Sequence, residues 1–232
     1  MRRPRGRGGW KFLPRAHLVA VPTARFRVGD ERWLLSLPLN PASGDPELAY
    51  CKVAEVETSR GRQLQLSFSP QRRVSAFMEG MRRSRNAEMA GSMLAEATEM
   101  LLWKYEDPTG ATLGCMALLR LGVLSNRRDW VENLAESFGW IPDAQFLLAS
   151  VLVDAGEELP RALDLLLEAS SQRPLLTDGL SLALDLLRNW PGDDPEATRA
   201  AERKAALGRL GELASWTDWD SINLTTVSGG AT

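Results

Sequence analysis

Histidine is all but missing: the 232 residues include one, His17, and only two cysteines, Cys51 and Cys115. A single imidazole excludes paired-His metal motifs and leaves one partner for a His-assisted nucleophile. Two cysteines far apart in sequence build neither a disulfide framework nor a four-ligand zinc site, so a reducing compartment, the cytoplasm, is expected. Long hydrophobic runs are missing too. Arg, Asp or Glu interrupts every Leu-rich stretch before the roughly 18 to 20 apolar residues that a bilayer requires, so no membrane partner is expected. The basic start lacks the apolar core of about 7 to 15 residues that a secretory signal carries, which argues against export.

What the chain does have is ordinary globular composition, 44% apolar and 25% charged, and an uneven distribution of charge. The net charge is −2, yet residues 1–90 hold 17 basic against 8 acidic groups and the remainder 11 against 22. Opposite fields let the basic part dock on an acidic partner or a polyanion, or hold the two parts of the chain together across a screening length of about 8 Å. The most basic segment, residues 1–16, sets Arg2, Arg3, Arg5, Arg7, Lys11 and Arg15 among Gly and Pro with no acid. It reads as a flexible arm.

Residues 17–69 read as a small antiparallel sheet. His17–Val21, Ala24–Val28, Arg32–Leu37, Leu48–Glu57 and Arg62–Ser69 are extended runs, broken at Pro22, Gly29-Asp30, an exposed loop over Pro38–Pro46 and a hairpin turn at Ser59–Gly61. Leu64, Leu66 and Phe68 alternate with Gln63, Gln65 and Ser67, one face dry and one wet. After Pro70 the period becomes helical. Val74, Phe77, Met78 and Met81 form a stripe flanked by Arg72, Arg73, Arg82, Arg83 and Arg85, and a second helix runs from Asn86 to about Tyr105.

From Asp107 onward the chain repeats itself at about 34 residues, with Pro108, Pro142 and Pro174, Gly122 and Gly156, and Ala135 and Ala169 in corresponding places. Each unit reads as a helical hairpin: Asp107-Pro108 opens a helix, Gly122 closes it, and Asp129 opens the next. In the unit from Pro142 to Pro174, Leu148-Ala149, Leu152 and Gly156, then Ala162, Leu166, Ala169 and Pro174, fall on the large, small and turn positions of a tetratricopeptide repeat, which this unit resembles. Gln145 stands where that family usually has Trp, and an extra residue intervenes near Leu159-Pro160. The resemblance implies stacked helical hairpins with a protein-binding surface. Thr177-Asp178 caps a further helix and Asp194-Pro195-Glu196 starts the last one, so 70–215 is a helical domain. Residues 216–232 read as a Ser/Thr/Gly-rich tail in which Trp216 and Trp219 either seal the last groove or form a peptide-like docking motif.

No catalytic, cofactor-binding or metal residue is assigned. Arg5-Gly6-Arg7-Gly8-Gly9 precedes no strand-to-helix switch, Cys115 reads as a buried inert thiol, and a Cys51–His17 pair is conceivable only within one sheet. The expected class is an α+β protein with a small N-terminal antiparallel sheet followed by tetratricopeptide-like helical hairpins. Its expected role is that of a non-enzymatic scaffold or adaptor subunit that binds another protein. Arg127, Arg128, Trp130, Asp143 and Gln145 are the candidate partner-facing residues. The alternative is a nucleic-acid-associated accessory factor using Arg2, Arg3, Arg5 and Arg7 with Arg72, Arg73, Arg82, Arg83 and Arg85.

Overall fold

A computed structural model of the chain describes residues 9–14, 18–41, 49–58, 61–68, 74, 75, 77, 90–191 and 197–229. Its architecture is the expected α+β one, N-terminal antiparallel strands followed by helices, but the strands form two sheets rather than one. In chain order they are β1 (Trp10–Phe12), β2 (Thr23–Val28), β3 (Glu31–Ser36), β4 (Cys51–Thr58), β5 (Gly61–Phe68) and, far downstream, β6 (Thr225–Ser228). One sheet has the order β1-β4-β5 and the other β2-β3-β6, all antiparallel.

The alternation in β2 explains the packing: Ala24, Phe26 and Val28 point into the core while Thr23, Arg25 and Arg27 are exposed. Phe26, Trp33 and Leu35 meet Cys51, Val53 and Leu64 of the other sheet. The Trp10 and Phe12 rings stand edge-on to Phe26, at 4.8 and 6.1 Å between centroids. That contact corrects the flexible-arm reading for Trp10–Phe12, the part of residues 1–16 that forms a strand. Trp10 and Phe12 share one face of a short strand, and the edge of β4 supplies backbone partners. Arg2, Arg3, Arg5, Arg7 and Arg15 lie outside the described residues, as do His17, the 42–46 part of the expected loop and Arg72, Arg73, Arg82, Arg83 and Arg85. The expected strand His17–Val21 is not seen in its described part, Leu18–Val21. Leu39 and Asn40, within the expected Pro38–Pro46 loop, are buried.

Among the described residues seven α-helices of named extent follow: α1 (Ala90–Leu102), α2 (Pro108–Arg120), α3 (Arg128–Ser137), α4 (Pro142–Ala155), α5 (Leu159–Ala169), α6 (Thr177–Arg188) and α7 (Ala197–Ser215). Their ends follow local chemistry. The Asp107 carboxylate accepts the Gly110 N–H at 3.0 Å and caps α2, with Pro108 in its first turn. Gly122 (φ 69°) and Gly156 (φ 67°) take the left-handed conformation that ends α2 and α4. Helix α4 packs against α2, α3, α5 and α6, and every residue from Pro142 to Leu152 is buried. A helix apolar on all sides is a central one, and α4 is the axis of the unit.

Sheets and helices are locked together at the loop before α6. Ser36 donates its hydroxyl to the Pro174 carbonyl at 2.8 Å and its N–H to the Leu224 carbonyl at 2.9 Å. Leu224 donates to Leu175, and Thr177 to Ile222, each at 2.9 Å. The expected tail is therefore structural: β6 pairs with β3 along Arg32–Leu35 because β3 would otherwise present a bare edge. Trp216 and Trp219 do not seal a groove, since they remain 52% and 51% exposed. Among the described residues, no helix is long and apolar enough to cross a membrane.

Both cysteines are buried and neither forms a disulfide, and burial pushes the Cys115 thiol up to about 12, so it stays protonated near neutral pH. Titration with a thiol-specific disulfide reagent is expected to label neither cysteine in the native protein and both in denaturant. Fast native labelling of one thiol would contradict the burial.

Candidate functional site

A groove of about 750 Å³, open to solvent, lies on the outer face of the β2-β3-β6 sheet. Its floor is set by strand register. Arg25 stands opposite Leu34 and Leu34 opposite Thr226, while Arg27 stands opposite Arg32 and Arg32 opposite Ser228. Leu213 and Trp216, at the C-terminal end of α7, form one wall. Arg173, from the loop before α6, completes the lining, which among the described residues thus has four arginines and no carboxylate.

Arg173 is the unusual member. Its Nε donates to Ser36 Oγ at 3.1 Å, and its Nη2 to the carbonyls of Leu34 (3.0 Å) and Leu224 (3.3 Å) and to Thr226 Oγ1 (3.3 Å). All four acceptors are neutral. Burial without a counter-charge pulls the guanidinium down to about 10, still cationic at neutral pH. Arg27 and Arg32 are like charges directly opposite one another, an unfavourable cross-strand pair that an anion between them relieves. The nearest acids are peripheral. Asp30 sits 3.8 Å from Arg27 with both side chains largely exposed, and Glu31 accepts from Trp33 Nε1 at 3.0 Å. The groove is chemically a receptor for anions, with Trp216 and Leu213 offering apolar contact alongside.

Of the residues singled out from sequence, Arg127, Arg128 and Trp130 do come together, lining a shallow hollow of about 430 Å³. The Arg128 charge is already used. Arg128 pairs with Glu157 and Glu158, holding Glu158 in its left-handed backbone (φ 49°), and the Arg127 guanidinium lies 5.8 Å from the Trp130 ring centroid. Asp143 and Gln145 are corrected outright, because they are 0% and 8% exposed and cannot face a partner. The Asp143 carboxylate accepts the Leu175 and Leu176 N–H groups at 2.6 and 3.0 Å, so it anchors the loop that carries Arg173. The cap expected at Thr177-Asp178 is not formed. Asp178 instead meets Arg120, and no side chain caps α6.

Arg25, Arg27, Arg32 and Arg173 were missed as site residues. The alternation Arg25-Phe26-Arg27 signalled an exposed basic face, but Arg173 reaches it from across the fold and leaves no local trace. Among the described residues, no three His, Cys, Asp or Glu side chains stand together as metal ligands would.

The family model for the Y4kD C-terminal domain matches residues 74–229, most of the chain. The chain belongs to the Y4kD C-terminal domain family. The match takes in all seven helices and β6, and leaves out β1–β5, so the family boundary passes between β6 and its sheet partner β3. No curated protein and no solved structure matches the chain.

Proposed function

We propose that this member of the Y4kD C-terminal domain family is a non-enzymatic interaction module of the cytoplasm. It receives an acidic segment of a partner protein in the arginine-lined groove of its β2-β3-β6 sheet. The observation that supports this is the lining itself: Arg25, Arg27, Arg32 and Arg173 converge without a carboxylate, and the half-buried Arg173 has only neutral partners. The helices, tetratricopeptide-like in their spacing, act in this reading as the frame. Their axis α4 is covered on all sides over its first three turns, and the Arg128 guanidinium beside the hollow is paired with the chain's own Glu157 and Glu158.

Fluorescence anisotropy with acidic octapeptides is expected to give micromolar binding that falls about tenfold or more on Arg32→Glu and weakens with salt. Arg128→Ala is expected to leave it unchanged. Absence of binding by any acidic peptide refutes the reading. The excess of basic charge in residues 1–90 supports a second reading, association with nucleic acid through that half. It predicts oligonucleotide binding whose logarithm falls linearly and steeply with log salt.

A further inference from the structure

The Ser36 N–H donates to Leu224, on the strand-β6 side of β3. By the alternation of an antiparallel ladder, Arg32, Leu34 and Ser36 direct their backbone groups toward β6, and Glu31, Trp33 and Leu35 toward β2. Their partners Val28, Phe26 and Ala24 are thus the bonded residues of β2, and the N–H and C=O groups of Thr23, Arg25 and Arg27 point the other way. The hairpin agrees, because a two-residue Gly29-Asp30 turn with Gly29 at φ 61° makes Val28 and Glu31 a bonded pair. Among the described residues nothing pairs with that outer edge, since the sheet order is β2-β3-β6. The other end of the sheet is closed, with Val227 donating to the Trp216 carbonyl at 2.8 Å and Thr217 bridging Thr226.

We infer that the partner segment enters as an added strand on the free edge of β2. Its acidic side chains fall at every second position beside Arg25 and Arg27, and apolar ones between them lie against Trp10 and Phe12. This rests on the reading of the groove as a site for an acidic segment and specifies how that segment binds. Strand addition draws affinity from main-chain hydrogen bonds and specificity from alternate side chains. The two faces of β2 supply both halves of such a code. The outer face carries Arg25 and Arg27, next to Arg32. On the inner face the half-buried Trp10 and Phe12 stand beside Phe26 and offer an apolar contact. The same arginines refuse self-association, because two copies of this edge would set like charges against each other. A polypeptide supplies the regular ladder of N–H and C=O groups this edge lacks, and a nucleic acid does not.

The test uses the full chain and fluorescein-labelled nonapeptides of valine and aspartate in anisotropy titrations. The strictly alternating peptide is expected to bind at least about tenfold tighter than one of the same composition with its acids in a block. N-methylation of one alternate set of its amides is expected to abolish binding, and of the other set to leave it. Arg25→Pro removes a donor that β3 does not use, so it is expected to cost about 30-fold or more in affinity with an unchanged melting curve. Arg25→Ala, which keeps the N–H, is expected to cost clearly less. Equal binding of alternating and blocked peptides, insensitive to either methylation pattern, overturns strand addition and leaves the acidic-segment reading standing. Failure of every acidic peptide to bind overturns both, as does tight binding of labelled oligothymidylate with no peptide bound. The methylated peptides decide the matter even if Arg25→Pro fails to fold.

Discussion

Replacing Asp143 by alanine is expected to destabilise the protein by about 3 to 5 kcal/mol at pH 5, because two buried backbone N–H groups lose their acceptor and a cavity opens. Those donors belong to Leu175 and Leu176, at 2.6 and 3.0 Å, and the site cannot close over the gap without moving the loop that carries Arg173. The packing is close: a Cβ added at Gly179 would come within 1.9 Å of Asp143 Oδ1. Burial pushes the Asp143 carboxyl up to about 7, overcoming the backbone N–H groups of Leu175, Leu176 and Asp143 itself that favour its charged form, with Asp178 adding a smaller push upward. The folded chain therefore holds a proton that the unfolded chain releases near its ordinary value of 3.8. Stability from this group is complete below that value, falls as pH rises toward 7, and is flat above. Both Asp143→Ala and Asp143→Asn remove the titration, so their penalty relative to the wild type is expected to shrink by about 2 to 3 kcal/mol between pH 5 and pH 8. Urea unfolding of the three proteins at the two pH values measures it, and a penalty independent of pH would show that Asp143 does not titrate in this window.

The same residue shows where sequence reading stopped. Local chemistry was legible: the Asp107-Pro108 start, the Gly122 and Gly156 stops and the alternation of β5 are interactions within a few residues of one another, and the structure has them. Asp143 and Gln145 were polar residues on a helix of a repeat, and such residues face outward in an isolated hairpin. They are buried because the segment 173–176 of the next hairpin folds over the start of α4, and that closure is tertiary. Strands β1 and β6 were missed for a related reason. Trp10–Phe12 sits among Gly and Arg, and Thr225–Ser228 is polar, so neither favours a strand alone. Each is extended because another strand supplies its hydrogen bonds. The groove combines both cases: Arg25 and Arg27 come with a readable strand, whereas Arg173 arrives through a loop held by Asp143.

Ending the chain after Trp216 is expected to destabilise the sheets and the helices together, although it removes no helix and only one four-residue strand. The loss falls on shared bonds. Without residues 217–229, Ser36 N–H loses the Leu224 carbonyl, the Leu175 carbonyl loses the Leu224 N–H, Thr177 N–H loses the Ile222 carbonyl, and Arg173 loses two of its four acceptors. Leu224, fully buried in the helical core, is removed as well, at a cost of about 2 to 3 kcal/mol for its side chain alone. Several bonds of about 1 kcal/mol each add to that, a large part of the roughly 5 to 15 kcal/mol that holds a domain. Two outcomes are expected by calorimetry. The intact chain unfolds in one transition whose calorimetric and van't Hoff enthalpies agree, and the shortened chain melts at least about 10 °C lower or shows no transition. The fragment 74–229, which contains β6 without β3, is expected to be unstable in the same way and to gain stability when residues 1–73 are supplied in trans. An unshifted transition in the shortened chain would mean that β6 only decorates the sheet, and that the family boundary at residue 74 is a true folding boundary.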